Sequence, residues 1–225
     1  MHQIDLPAWA VARGAALNGF EALEEGATAL VNIDMQNIFV GEGEIFGNLY
    51  ARDIVGAVNA LAAAMRAIGA PVIWTRQTHA FAPPLAPATW QYDLARPEVR
   101  AAVEALQVGA AGHELYPAME VTAGDIVIDK YRYGALSCPA GALAASLRSL
   151  RTKMIVLTGT LTNVCCETTA REAYMAGYKV IVVADATAAA SDTEHNAALL
   201  NLRLNFADVR WASEVTAMAR SDHQA

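Results

Sequence analysis

Cysteine, charge and long apolar runs are all scarce in this 225-residue sequence. Three cysteines do not make a disulfide framework, and no stretch of about 18 apolar residues predicts a membrane-spanning helix. The N-terminus lacks the apolar segment of a signal peptide. A net charge of −7 without a basic tract argues against binding to nucleic acid or to an anionic membrane. These absences favour a cytoplasmic protein.

The composition is rich in small apolar residues. Hydrophobic residues make up 55% of the chain and aromatic residues only 7%, so much of the apolar content is alanine. Such a chain is not disordered, and it suits helices packed closely on a sheet. The length predicts one domain. Residues 1–27 show no clear periodicity and are predicted to be an N-terminal extension that packs on the body or on a neighbouring subunit, which leaves residues 28–225 as the domain.

Apolar strand patterns alternate with helical ones along the chain. This order predicts a largely parallel sheet that is covered by helices on both faces. A long irregular loop over residues 78–96 interrupts the pattern, and loops of that length in compact domains are usually functional. Strands are predicted at 29–34, 71–77, 125–130, 154–160 and 179–185, and helices at 52–69, 97–107, 139–150, 163–176 and 192–206.

Polar residues stand where the predicted strands end. Ligands of open α/β sheets bind beyond the carboxyl ends of the strands, so these side chains are expected to meet on one rim. An acid, a base and a thiol are among them, and such a set is capable of nucleophilic catalysis. The strand ends carry Asp34, Arg76 with Gln77, Lys130, the turn TGTLTNVCC at 158–166, and Asp185.

Cys165 lies near the start of the helix that follows the fourth strand. The unpaired N–H groups and the dipole of a helix start favour a thiolate, and nearby N–H groups can hold an oxyanion. Taken alone, Cys165 is more readily explained as a buried structural cysteine, Asp34 could cap a helix or turn, and Lys130 could be a solvated strand end. Their combination on one rim is what indicates catalysis.

Three segments of the chain resemble the isochorismatase-like family of cysteine hydrolases. They are LVNIDMQNIF, IVIDKYRYGAL and VLTGTLTNVCCETTAREAYMAGYKVIVVADA, in the order that the family has them. The similarity spans about residues 28–215, and the third segment is the most specific. The resemblance implies a Rossmann-like three-layer α/β/α sandwich with a parallel sheet of about six strands. It also implies a homodimer or a homotetramer.

Carried over by position, the resemblance implies a catalytic triad of Asp34, Lys130 and Cys165. The family nucleophile follows a Gly-x-x-Thr-x-x pattern, which places it at Cys165 and leaves Cys166 as a small buried side chain. The resemblance further implies a non-proline cis peptide between Thr160 and Leu161. The backbone N–H groups of Leu161 and Cys165 would then form the oxyanion hole.

The resemblance argues for amide hydrolysis without a metal or other cofactor. Nicotinamidases of the family carry an Asp-x-His zinc motif after the second strand, whereas this chain has TRQTHAF with His79 alone. The remaining histidines show no ligand spacing either, and these are His2, His113, His195 and His223. The nucleophilic cysteine favours the branch that acts on small amides and ureides, such as N-carbamoylsarcosine, biuret, ureidoacrylate or maleamate.

Five residues are candidates for binding the small-molecule substrate. Phe39 and Tyr133 follow the predicted Asp and Lys at positions where the family often lines its pocket. The second strand end and the long loop supply the others, which are Arg76, Trp90 and Tyr92. Arg76 could hold a substrate carboxylate in a bidentate contact, or it could form a surface or interface ion pair. The first alternative predicts a carboxylate-bearing substrate.

Two other functions remain open at this point. One is a vinyl ether hydrolase like the isochorismatases proper, in which the thiol would be dispensable. The other is a non-catalytic binding or scaffold member of the fold, in which Cys165 would be unreactive.

Overall fold

The computed structural model describes residues 1–221 and contains one six-stranded sheet. All five strand pairs are parallel, and the strand order is β3-β2-β1-β4-β5-β6. Strands β2 and β3 follow β1 toward one edge of the sheet, and β5 and β6 follow β4 toward the other edge. The connections therefore diverge where β1 and β4 meet, which leaves a crevice there. The strands are β1 (Thr28–Ile33), β2 (Val72–Gln77), β3 (Ile126–Lys130), β4 (Met154–Thr160), β5 (Lys179–Ala188) and β6 (Asp208–Arg210).

Eight α-helices flank the sheet within the described part of the chain. They are α1 (Ala8–Asn18), α2 (Asn37–Val40), α3 (Val55–Ala67), α4 (Pro97–Glu104), α5 (Ala142–Ser149), α6 (Glu167–Met175), α7 (Asp192–Asn205) and α8 (Ala212–Ser221). The predicted strands and most predicted helices are confirmed. The helix predicted from residue 139 begins later, after Gly141, whose φ of 66° interrupts the helical backbone. Helices α1, α2 and α8 are absent from the prediction.

Two hydrophobic layers, one on each face of the sheet, hold the fold together. One layer joins Leu30 of β1 and Met154 and Val156 of β4 to α3 and α8, and the other joins the apolar residues that alternate with them on the same strands to α5, α6 and α7. Every residue of β1 and β4 is buried, as expected for central strands covered on both faces. The predicted three-layer α/β/α sandwich is therefore confirmed. No helix in the described residues is both long and apolar enough to span a membrane.

The N-terminal segment packs along α7. Helix α1 lies against α7, where the Arg203 guanidinium donates to the carbonyl of Val11. Ahead of it, the ring of His2 stacks between those of Tyr50 and His195, with centroid separations of 3.9 and 4.1 Å. Packing on the body agrees with the expectation for residues 1–27, while their separation from a domain beginning at residue 28 stays a prediction.

Gly14 is the point of closest approach between α1 and α7. A Cβ atom built on Gly14 would lie 2.2 Å from the carbonyl oxygen of Arg203. Gly14→Ala should therefore push the two helices apart and lower the free energy of unfolding by about 1–3 kcal/mol. Urea denaturation measures this change.

A matched control is available in α3. Gly56 also lies in a helix, but a Cβ atom there meets nothing within 4 Å. Gly56→Ala should leave stability unchanged or raise it by up to about 1 kcal/mol, because alanine favours the helical backbone. Equal responses of the two variants would contradict the close packing of α1 on α7.

Candidate active site

The structure brings Asp34, Lys130 and Cys165 together at the crevice between β1 and β4. Asp34 follows β1, Lys130 ends β3, and Cys165 lies in the turn after β4. All three side chains are buried, with exposed fractions of 0%, 1% and 6%. The strand order therefore makes a single cluster of residues that lie far apart in the sequence, at the position where open α/β sheets bind ligands.

Asp34 adopts a backbone conformation that is uncommon for a residue other than glycine. Its φ is 50°, and its N–H donates to the carbonyl of Thr75 at 3.2 Å. One carboxylate oxygen accepts from the Thr75 hydroxyl at 2.7 Å, and the other lies 2.8 Å from the Lys130 ammonium. Strained backbone of this kind is found at functional sites, where the surroundings fix it. It aims the carboxylate across the end of β2 toward Lys130.

Lys130 is buried, and polar partners surround its ammonium. Its ammonium forms an ion pair with Asp34, and it donates to the side-chain oxygen of Gln77 at 2.6 Å and to the carbonyl of Arg132 at 3.1 Å. Burial lowers the pKa of Lys130, but the interactions with Asp34 and Cys165 outweigh burial and raise it. Lys130 therefore stays a cation inside the site.

The turn that carries Cys165 depends on Gly159. Gly159 has a φ of 107°, and a Cβ atom there would lie 2.1 Å from the carbonyl oxygen of Ile33, so no other residue fits. The next peptide, between Thr160 and Leu161, is cis. Residues Thr162–Cys166 then form a π-helical turn that leads into α6. The N–H of Leu161 donates to no atom of residues 1–221.

The surroundings of Cys165 favour its protonated thiol. Burial raises its pKa to about 12, and the Asp34 carboxylate raises it further, while the Lys130 ammonium lowers it. The expectation that the helix start favours the thiolate gains no support from this balance and stays a prediction. Loss of hydration costs the thiolate more than the nearby ammonium of Lys130 returns.

The neighbouring Cys166 has a different environment. Its exposed fraction is 0%, and its sulfur lies 3.9 Å from the Thr158 carbonyl, on the side of β4. Cys138 is also buried, and its sulfur accepts from the N–H of Tyr131 at 3.2 Å. Of the three cysteines, Cys165 lines the cavity described next.

A cavity of about 190 Å³ lies above Cys165. The predicted pocket residues Phe39, Tyr92 and Tyr133 line it, and Phe46 from the loop after α2 completes an aromatic wall. At about 30 Å³ for each water molecule, the cavity holds roughly six waters, which is the size of a small organic molecule. Aliphatic side chains add to the lining, and these are Leu106, Leu161 and Val164.

The structure does not bring the other two predicted substrate-binding residues to the cavity. The Arg76 guanidinium donates to Asp129 at 2.7 Å and to Glu114 at 3.3 Å, which is the ion-pair alternative. Register explains this, because Arg76 lies opposite Asp129 whereas the next residue of β2 lies opposite Lys130. The Trp90 side chain is 84% exposed. A substrate contact through either residue has no support in this geometry.

Two glutamines complete the site, and the sequence reasoning gave neither of them a role. The Gln77 side chain accepts from Lys130 and lines the cavity, while its N–H donates to the side chain of Gln36 at 2.6 Å. Gln36 also donates to the carbonyls of Gln77 and His113. Asp185, the other predicted strand-end acid, instead accepts from the N–H of Ala212 at the start of α8.

The histidines serve local contacts. His195 shares a hydrogen bond of 2.9 Å with Thr162 at the start of the π-helical turn, and His113 shares one of 2.8 Å with Thr78. Burial lowers the pKa of His79, whose ring packs near that of Tyr92. Residues 1–221 contain no group of three potential metal ligands, and His223 lies outside them. Independence from metal stays a prediction.

The sequence matches the isochorismatase domain over residues 28–214. Ureidoacrylate amidohydrolase RutB from Methylobacterium radiotolerans is 32% identical over 211 residues, which cover 87% of this chain and 80% of that protein. A cysteine hydrolase structure from Pseudomonas syringae pv. phaseolicola has a TM-score of 0.79 at 25% identity, covering 90% of this chain and 96% of the other. N-carbamoylsarcosine amidase from Thermoplasma acidophilum has a TM-score of 0.66 at 26% identity, with 83% and 96% covered.

The raised pKa of the Cys165 thiol sets the pH dependence of its alkylation. Because only the thiolate reacts, iodoacetamide should label Cys165 about ten times faster for each pH unit between about pH 7 and pH 9, without a plateau. Peptide mass spectrometry of timed samples measures the rate at each cysteine.

Variants of the two adjacent cysteines provide the control. Cys166→Ala should keep this labelling and Cys165→Ala should lose it, since Cys166 is closed off from solvent. A labelling rate at Cys165 that levels off below about pH 8 would contradict a protonated resting thiol.

Proposed function

The chain belongs to the isochorismatase family of hydrolases, and on this basis we propose that it is a cysteine-dependent amidohydrolase. It releases ammonia from a small linear amide or ureide through a thioester intermediate. The observation that carries the proposal is a buried thiol that lines a small cavity and feels the charges of the Asp34–Lys130 ion pair. The relatives that match most of the chain are themselves named as amidohydrolases and as a cysteine hydrolase.

In the first step, Asp34 takes the proton of the Cys165 thiol as the sulfur attacks the amide carbonyl. A thiol with a pKa of about 12 is a poor nucleophile at neutral pH, so it needs a base in contact with it. Asp34 is that base, because its carboxylate interacts with the thiol. Lys130 remains charged throughout and limits the free-energy cost of the forming thiolate.

The tetrahedral intermediate carries its negative charge on the former carbonyl oxygen. We assign the backbone N–H groups of Leu161 and Cys165 as the donors to this oxygen. The free N–H of Leu161 supports the assignment, because backbone donors fixed before the reaction need no reorganisation during it. The C–N bond then breaks as Asp34 returns its proton to the departing nitrogen, and ammonia leaves.

Water hydrolyses the thioester in the second half of the reaction. Asp34, again a carboxylate, removes a proton from the water as its oxygen attacks the acyl carbon. The C–S bond breaks, the sulfur recovers the proton, and the acid product leaves. Asp34 is therefore a carboxylate at the start of each half-reaction and again at its end. The second half-reaction also restores the Cys165 thiol.

The identity of the substrate and the oligomeric state of the enzyme are also proposals. The predicted substrate carboxylate depended on Arg76, whose guanidinium is held by Asp129 and Glu114 away from the cavity. The proposal therefore keeps the amide or ureide and loses its argument for the carboxylate. A homodimer or homotetramer and a cytoplasmic location also stay predictions.

Replacement of the two adjacent cysteines tests the proposed function. Cys165→Ala should abolish ammonia release from a panel of small amides and ureides, because the nucleophile is gone. Cys166→Ala should keep most of the activity, since Cys166 packs against β4 and does not line the cavity. A coupled ammonia assay measures both variants against the unmodified enzyme.

Three results would contradict the proposal. One is full activity in Cys165→Ala, which would indicate chemistry without the thiol. Another is hydrolysis of isochorismate without ammonia release. The third is failure to release ammonia from any member of the panel by folded enzyme whose Cys165 can be alkylated.

A further inference from the structure

We propose that the acyl part of the substrate is uncharged and apolar, so that the enzyme prefers small neutral amides to carboxylate-bearing ones. This inference rests on the proposed amide hydrolysis and specifies its substrate class. It departs from the ureidoacrylate named for a relative, and from the carboxylate that the sequence predicts through Arg76.

The wall of the cavity supplies no free cation. The ten residues that line it are aromatic, aliphatic, Gln77, Thr160 and Cys165 itself. Gln77 already accepts from Lys130, and the Thr160 hydroxyl donates to the carbonyl of Ala188 while it accepts from Asn48. A carboxylate placed against this wall would lose its hydration without gaining an ionic partner, which is strongly unfavourable.

The cationic side chains that neighbour the lining residues Gln77 and Tyr133, or the triad, are committed to other partners. Lys130 is held by Asp34, Gln77 and the Arg132 carbonyl beneath the thiol. The Arg132 guanidinium donates to four backbone carbonyls, three of them in the long loop, namely those of Pro84, Leu85, Ala86 and Tyr131. Arg76 is paired with two carboxylates. Moving any of them to a substrate anion would break these contacts.

The aromatic wall itself disfavours an anion. The rings of Phe46 and Tyr92 are tilted against each other at 5.9 Å, and Phe39 and Tyr133 lie on the same cavity. Aromatic rings pack well against apolar groups, and they offer a carboxylate no charge of opposite sign. The net charge of −7 adds a repulsion of the same sign. An acyl chain of about six heavy atoms fits the volume.

A matched pair of amides tests the proposal on the unmodified enzyme. 4-Methylpentanamide and succinamate have the same chain length and nearly the same shape, and they differ by an isopropyl group in place of a carboxylate. We expect kcat/KM for 4-methylpentanamide to exceed that for succinamate by about a hundredfold or more. Equal values, or a preference for succinamate, would overturn the proposal.

A cation introduced into the wall should shift this preference. Phe46→Arg should raise kcat/KM for succinamate by about tenfold and lower it for 4-methylpentanamide, because the new guanidinium can pair with the carboxylate. Trp90→Arg is the control, since it makes the same change of charge on an exposed side chain that does not line the cavity. It should change neither value by more than about twofold.

The outcomes separate the two proposals. Ammonia release that requires Cys165 but favours succinamate would keep the proposed function and overturn the inference about the acyl group. Ammonia release from neither amide, nor from the wider panel, by folded enzyme would overturn both. Equal responses of Phe46→Arg and Trp90→Arg, in variants with unchanged thermal unfolding, would contradict the cavity at Phe46 as the acyl site.

Discussion

A buried ion pair between Asp34 and Lys130 is the constraint around which the rest of the site is arranged. Two charges without access to water are tolerated only when their remaining hydrogen-bonding capacity is also satisfied. Thr75 and Gln77 meet much of that requirement from the end of β2, and the Arg132 carbonyl adds to it. The pair therefore links β1, β2 and β3 at their carboxyl ends. These contacts fix the positions of the side chains next to the cavity.

The same burial determines how the two adjacent cysteines differ. Cys165 and Cys166 are neighbours in the chain, but the π-helical turn directs one toward the ion pair and the cavity and the other toward β4. Burial raises the pKa of both thiols. In our account only Cys165 has a base within reach, so activation comes from the contact with Asp34 and not from a preformed thiolate.

The architecture was predictable from the sequence because its central strands are uniformly apolar. Helix α1 was not, because the side it buries consists of Ala10, Gly14 and Asn18, which form no hydrophobic stripe. Small residues at intervals of four allow close packing on α7 but give little periodic signal. Helix α8 gives a similarly weak signal, because the apolar side chains that it buries within the described residues are Val215 and Ala219.

The site was predictable only in part, for reasons that particular residues illustrate. Strand ends placed Asp34, Lys130 and Cys165 on one rim, but alternation along β2 allows only one of Arg76 and Gln77 to face Lys130. The acidic neighbour Asp129 was the available signal that Arg76 is the residue facing away. The positive φ of Asp34 and the close approach of Gly159 to Ile33 arise from tertiary contacts, which no local pattern encodes.

The most direct test of the central claim is a double-mutant cycle on the buried pair. The free energy of unfolding would be measured by urea denaturation for Asp34→Asn, Lys130→Met and the double variant. Each single change should cost about 3–5 kcal/mol, because it leaves one buried charge without its partner, and the double variant should cost clearly less than the sum. Strictly additive costs would contradict a coupled pair at the centre of the site.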